Sequence, residues 1–141
     1  MSSRGAQAYI AATFLVGLLC NSAAVLVTYA RGAIFPDDLR AMLETLLAVY
    51  SAPLAIIVAG FFGRPASDRK PDAIVFWSAM VVSAIWNVFL LWGGVGLLAA
   101  SFSQQSSESA VDDFSSYVRA ISSAATFLVS GGLAYFFVKR D

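Results

Sequence analysis

The sequence predicts an all-α, polytopic membrane protein, a bundle of four transmembrane helices forming a single domain over residues 1–141. Three observations carry this. Apolar residues make up 59% of the chain and charged residues 13%, against about 25% charged in ordinary soluble domains. The charges are segregated, leaving uncharged runs over 5–30, 45–63, 73–107 and 120–138. Each run is long enough to cross a hydrocarbon core about 30 Å thick, which takes roughly 17–25 apolar residues.

The longest run holds 35 residues between Asp72 and Glu108. Its first part, 73–100, reads as one continuous helix. Trp77 and Trp92 lie fifteen residues apart, about 22 Å along a helix axis. That is near the separation of the two interfacial belts where indole rings settle.

Helix 1 is expected over 7–29. Arg4, the apolar segment Ala8–Cys20 and Ser22-Ala23-Ala24 together resemble a secretory signal. The apolar character continues to Ala30, however, which suits a retained spanning helix better. Leu19 also fits poorly before a lipoprotein-type Cys20. Helix 2 is expected over 36–62. Pro36 suits the first turn, and Asp37 and Asp38 complement the positive end of the helix dipole. Leu39, Met42, Leu43 and Leu46 form a one-sided apolar stripe. Pro53 removes a hydrogen bond midway and predicts a kink near Val49–Tyr50.

The connection 63–72 carries Gly63, two prolines and five charges, the marks of a solvated turn. After helix 3 comes a polar segment, 101–107. Ser109 then offers a cap with Asp112 three residues on. Val111, Phe114, Val118, Ile121 and Ala125 recur at helical spacing, predicting helix 4 over 109–138, closed by Lys139 and Arg140. Helices 2 and 4, at 27 and 30 residues, are about 40 and 45 Å long. Both should extend beyond the bilayer at their acidic starts, on the non-cytoplasmic side.

Orientation follows from the basic residues. Arg4, Arg64, Arg69, Lys70, Lys139 and Arg140 share one side with three acids, a net +3. Arg31, Arg40 and Arg119 share the other with six acids, a net −3. Both termini are therefore expected in the cytoplasm, with the chain in a bacterial inner (plasma) membrane. Nine basic and nine acidic residues cancel, so the basic patch required for nucleic-acid binding is missing.

Every predicted span has a small or polar stripe. The stripes are Thr13, Gly17, Asn21, Ala24 and Thr28; Thr45, Ala48, Ala52, Ala55, Ala59 and Gly63; Ala79, Ser83, Asn87 and Gly94; and Ser122, Thr126, Ser130 and Ala134. Lipid supplies no hydrophobic force between helices, so small residues and interhelical hydrogen bonds must hold them together. These stripes are accordingly expected at contacts between the helices of one bundle or between subunits, and Ala55→Phe is expected to overpack the bundle. The alternative is that the stripe of helix 3 or 4 lines a watery path.

Asn21 and Asn87 are the most polar groups at depth. They are either interhelical bonds or part of a binding or permeation site. Arg119 is expected to snorkel at the interface, or to form a charged constriction in a ring of copies. Glu108, Asp112 and Asp113 read as a solvated helix start rather than a cation site.

The sequence has no His, and Cys20 is its single cysteine. No ionisable residue lies deep in a span, which disfavours proton-coupled export. No metal-ligand cluster, catalytic constellation or phosphate-binding loop is visible, and Gly93-Gly94-Val95-Gly96 reads as a close-packing site. The expectation is a non-enzyme without cofactor or metal, working against the lipid bilayer as a homo-oligomer or with a membrane-protein partner. A homo-oligomeric channel or pore, including one that permeabilises membranes, is preferred. The alternatives are an accessory or anchoring subunit and a small-solute carrier using Asn21 and Asn87.

Overall fold

The computed structural model describes residues 3–62, 73–103 and 107–138. They form four α-helices: α1 Ser3–Ala30, α2 Pro36–Phe62, α3 Ala73–Phe102 and α4 Ser107–Val138. Among the described residues there is no strand. Three helices contain stretches long and apolar enough to cross a membrane, namely Gly5–Ala30, Pro36–Gly60 and Ala73–Phe102. The chain is an integral membrane protein on that ground. α4 falls short of the same standard. Asp112, Asp113 and Arg119, together with its many serines, dilute the first half of the helix.

Local chemistry sets the helix ends. α1 stops in a Schellman turn. Gly32 adopts a left-handed φ of 73°, its N–H donates to the Tyr29 carbonyl at 2.8 Å, and the Ala33 N–H reaches the Thr28 carbonyl at 3.2 Å. Glycine tolerates that φ because it has no Cβ. α2 starts with Phe35 as its cap residue. The Asp38 carboxylate accepts the Phe35 N–H at 3.1 Å, one half of a capping box around Pro36. α2 continues unbroken through Pro53, which is buried. Proline has no N–H, so the Val49 carbonyl loses its usual helical donor there.

The helices pack as a ring in the order α1, α2, α4, α3. α1 and α2 are antiparallel neighbours, as are α3 and α4. α2 and α3 face each other across a diagonal. At the end carrying α1's C-terminus, Arg31 stacks over the Phe102 ring at 3.8 Å, tying α1 to α3. All four helices therefore reach this end. α1 and α3 end beside the acidic starts of α2 and α4.

The core is aromatic at its centre. Trp86 lies against Phe14, with centroids 5.4 Å apart, and edge-on to Tyr50 at 5.0 Å. Ile10, Met42, Leu46, Leu90, Val118, Val129 and Leu133 fill the layers above and below. Trp77 and Trp92 point outward, as interfacial anchors should.

One predicted face is reversed. Ala48, Ala52, Ala55 and Ala59 of α2 are exposed and Thr45 is half-buried, while Met42, Leu46, Val49, Tyr50, Pro53 and Ile57 face inward. A helical period marks two opposite stripes without saying which is inside. On α2 the larger residues, with Tyr50 and Pro53, fill the core. Gly63 lies outside the described residues.

Candidate functional site: a buried polar centre and a small-residue face

The predicted stripes of α1 and α3 do face inward. Gly17, Asn21, Ala24 and Thr28 are buried, as are Ala79, Ser83, Asn87 and Gly94. Without a Cβ at Gly17, α1 can approach α3 until the Asn87 side chain occupies the space a methyl group would take. Gly94 does the same for Asn21, whose Oδ1 lies 2.9 Å from where a Cβ would stand.

Those two approaches bring Asn21 and Asn87 to opposite sides of Tyr50. Asn21 Nδ2 donates to the Gly17 carbonyl at 3.0 Å and to the Tyr50 Oη at 3.3 Å. The Tyr50 hydroxyl donates to Asn87 Oδ1 at 3.0 Å. Asn87 Nδ2 in turn donates to the Ser83 carbonyl at 2.9 Å. The result is a directional relay across three helices, with both amides and the phenol buried. In an apolar interior an unpaired amide costs several kcal/mol, so mutual satisfaction is what lets these groups stay. Among the described residues, Asn21 Oδ1 and Trp86 Nε1 remain there without a partner.

Tyr50 is the member that sequence reasoning missed. Its signal was present: a tyrosine at mid-span, far from the interfaces where tyrosines settle.

The predicted residues of α4 take no part in the relay. Ser122 and Thr126 are half-buried and bond each other at 3.0 Å. Ser130 Oγ is enclosed with no partner among the described residues. Arg119 is exposed and makes no ion pair among the described residues. Tyr117 fixes the rotation of α4 by reaching α3, its hydroxyl donating to the Phe89 carbonyl at 3.0 Å. Arg119 and Ser123 are exposed and project outward beside α2.

The outside of the bundle is two-faced as a result. α1 and α3 expose large apolar side chains such as Leu15, Leu19, Val81, Ile85, Val88 and Phe89. The adjacent α2 and α4 expose the four alanines together with Ser51, Ser116, Arg119 and Ser123. Among the side chains the structure describes, their exposed large apolar residues within the helices are Leu47, Val58, Phe127 and Leu128. Set against protein-family models, curated proteins and solved structures, the chain matches none in any of the three comparisons. The functional reading stands on fold and surface chemistry.

Proposed function

We propose that the chain is a homo-oligomeric, pore-type membrane protein that crosses the bilayer four times and turns its α2–α4 face towards the assembly axis. The observation that carries this is the contrast between its two outer faces. Lipid favours the bulky apolar side chains that α1 and α3 display. It gives no reason for a column of alanines and serines beside an arginine. The interior of one copy is closed by Trp86, Tyr50 and Phe14, so a water path has to run between copies. On this reading Ser116, Arg119 and Ser123 border the path, and the acidic end concentrates cations at its mouth.

The fourth crossing is supported by packing. α4 lies against both α2 and α3 and buries Phe114, Val118, Val129 and Leu133 between them. With four crossings the termini share one side, cytoplasmic by the basic-residue distribution, and the acidic starts of α2 and α4 project on the other. A bacterial inner membrane fits that distribution. The carrier reading weakens, because Asn21 and Asn87 spend their hydrogen bonds on Tyr50 and on backbone carbonyls.

Conductance of the purified protein in planar bilayers tests the proposal. Discrete current steps are expected. Silence across voltages, combined with a monomer by crosslinking, would overturn it. The same unpartnered face also fits an accessory or anchoring subunit, and for that reading one stoichiometric partner must co-purify.

A further inference from the structure

We infer that the bundle leans onto its α1–α3 face, bedding the apolar stretch of that face beyond Trp92 into the non-cytoplasmic leaflet. This rests on the four crossings of the proposed function and adds a lipid surface as the occupant of that stretch.

Heights along the bundle follow from its contacts. A Cβ at Gly17 would meet both Asn87 and the Tyr50 hydroxyl, so these three residues share one level. From there to the helix ends at Ala30, Pro36 and Phe102 run 13, 14 and 15 residues (30 − 17, 50 − 36, 102 − 87), about 20–23 Å. On α4, Tyr117 bonds the Phe89 carbonyl, and Ser107 begins the helix ten residues above it (117 − 107). The four helices therefore end within about one turn of each other.

Trp92 is exposed, and as an interfacial anchor it marks the outer edge of the bilayer. The last ten residues of α3 (102 − 92), about 15 Å, then lie beyond it. The two walls of this projecting part have opposite chemistry at equal height. α1 and α3 expose Leu26, Val27, Tyr29, Val95 and Phe102, and no charge lies on α1 between Arg4 and Arg31 or anywhere on α3. α2 and α4 expose Asp37, Arg40, Glu44, Glu108, Asp112 and Asp113.

Standing upright, the molecule would hold its apolar wall in water. Sinking deeper, it would drag the charged wall into hydrocarbon. A lean avoids both, because it lowers the apolar wall onto the membrane and turns the charged wall up to solvent. Length argues the same way. The apolar spans Gly5–Ala30 and Ala73–Phe102 hold 26 and 30 residues, about 39 and 45 Å. A span longer than the ~30 Å hydrocarbon core is accommodated by tilting. The projecting wall also continues the lipid-facing surface of Val81, Ile85, Val88 and Phe89 without a break. Arg31, stacked over Phe102 at 3.8 Å, ends it with a cation suited to headgroups. In a ring of copies with α2 and α4 inside, the same lean flares the acidic mouth.

The test uses the full chain with Cys20→Ser in phosphatidylcholine vesicles. Single cysteines replace Leu26 and Val95 on one wall, and Glu44 and Asp113 at matching height on the other. Each reacts with a charged, water-soluble maleimide, and its rate is normalised to the same chain unfolded in detergent. A thiol bedded in lipid loses its reactive thiolate, so reaction at Leu26 and Val95 is expected to be about tenfold slower or more. Polarised infrared spectra of aligned bilayers should give a mean helix tilt of about 30–40°, above the usual ~20°. Uniform rates at the four positions, or a tilt no greater than about 20°, would overturn the lean. Conductance retained in that case leaves the pore reading standing, whereas outside labelling of a cysteine at Asp141 would remove the fourth crossing and the lean together.

A double variant, Leu26→Asp with Val95→Asp, then places two carboxylates on the bedded wall. Both positions are exposed in the single copy, so thermal unfolding should be unchanged while the tilt falls back to about 20°. A tilt unmoved by the two charges would sink the proposal.

Discussion

The Tyr50 hydroxyl donates to Asn87 Oδ1 over 3.0 Å, and this bond crosses the diagonal between α2 and α3. Those helices do not pack side by side, so only a long side chain can join them. Tyr50 is long enough, and its ring also stacks edge-on against Trp86.

Tyr50→Phe keeps the ring and removes the relay. Asn87 Oδ1 then loses its donor and Asn21 Nδ2 one acceptor. We expect about 1–2 kcal/mol of lost stability, read from reversible unfolding in detergent. A double-mutant cycle with Asn87→Leu should return about 1 kcal/mol of coupling. A coupling of zero would mean that the bond contributes nothing.

The glycines separate close approach from mere helix composition. A methyl at Gly17 overlaps Asn87, whereas one at Gly96 meets nothing within 4 Å. Gly17→Ala should therefore cost about 1–3 kcal/mol through overpacking. Gly96→Ala should be neutral or gain up to about 1 kcal/mol from helix propensity. Melting temperatures of the pair settle this, and equal shifts would contradict the α1–α3 geometry.

Ala55→Phe offers a direct check on the outward stripe of α2. Sequence pattern alone expects it to wreck the bundle. With Ala55 exposed, the unfolding free energy of the single copy should change by no more than about 0.5 kcal/mol. A large loss would put this stripe back inside.

Topology is testable with single cysteines and a membrane-impermeant maleimide, in a Cys20→Ser background. A cysteine at Ser106 should label from outside intact cells, and cysteines at Ser67 and Asp141 only after permeabilisation. Outside labelling at Asp141, with Ser67 protected, would show that α4 does not cross.

Much of the architecture was legible in the residues. The four helices are recovered with small shifts. α1 begins earlier and ends one residue later, α3 runs on to Phe102, and α4 starts at Ser107. Asn21 and Asn87 stood out because an amide in an apolar run must find a partner. That the partner is Tyr50 was hidden, since tyrosine counts as apolar in composition and contributes its hydroxyl only when another helix comes within reach. α4 sits on the margin between spanning and surface helix because of its charged first half, and its serines conceal which way they face.

Charge placement and run length determined by themselves that this chain is a set of long helices belonging to a membrane, because hydrocarbon tolerates neither charge nor unpaired backbone. The tertiary structure alone decided which stripe of each helix turns inward. A helix repeats every 3.6 residues on all sides, and the choice depends on what the neighbouring helices present. Close approach at Gly17 and Gly94 drew the amides onto Tyr50, and that left the alanines of α2 outside.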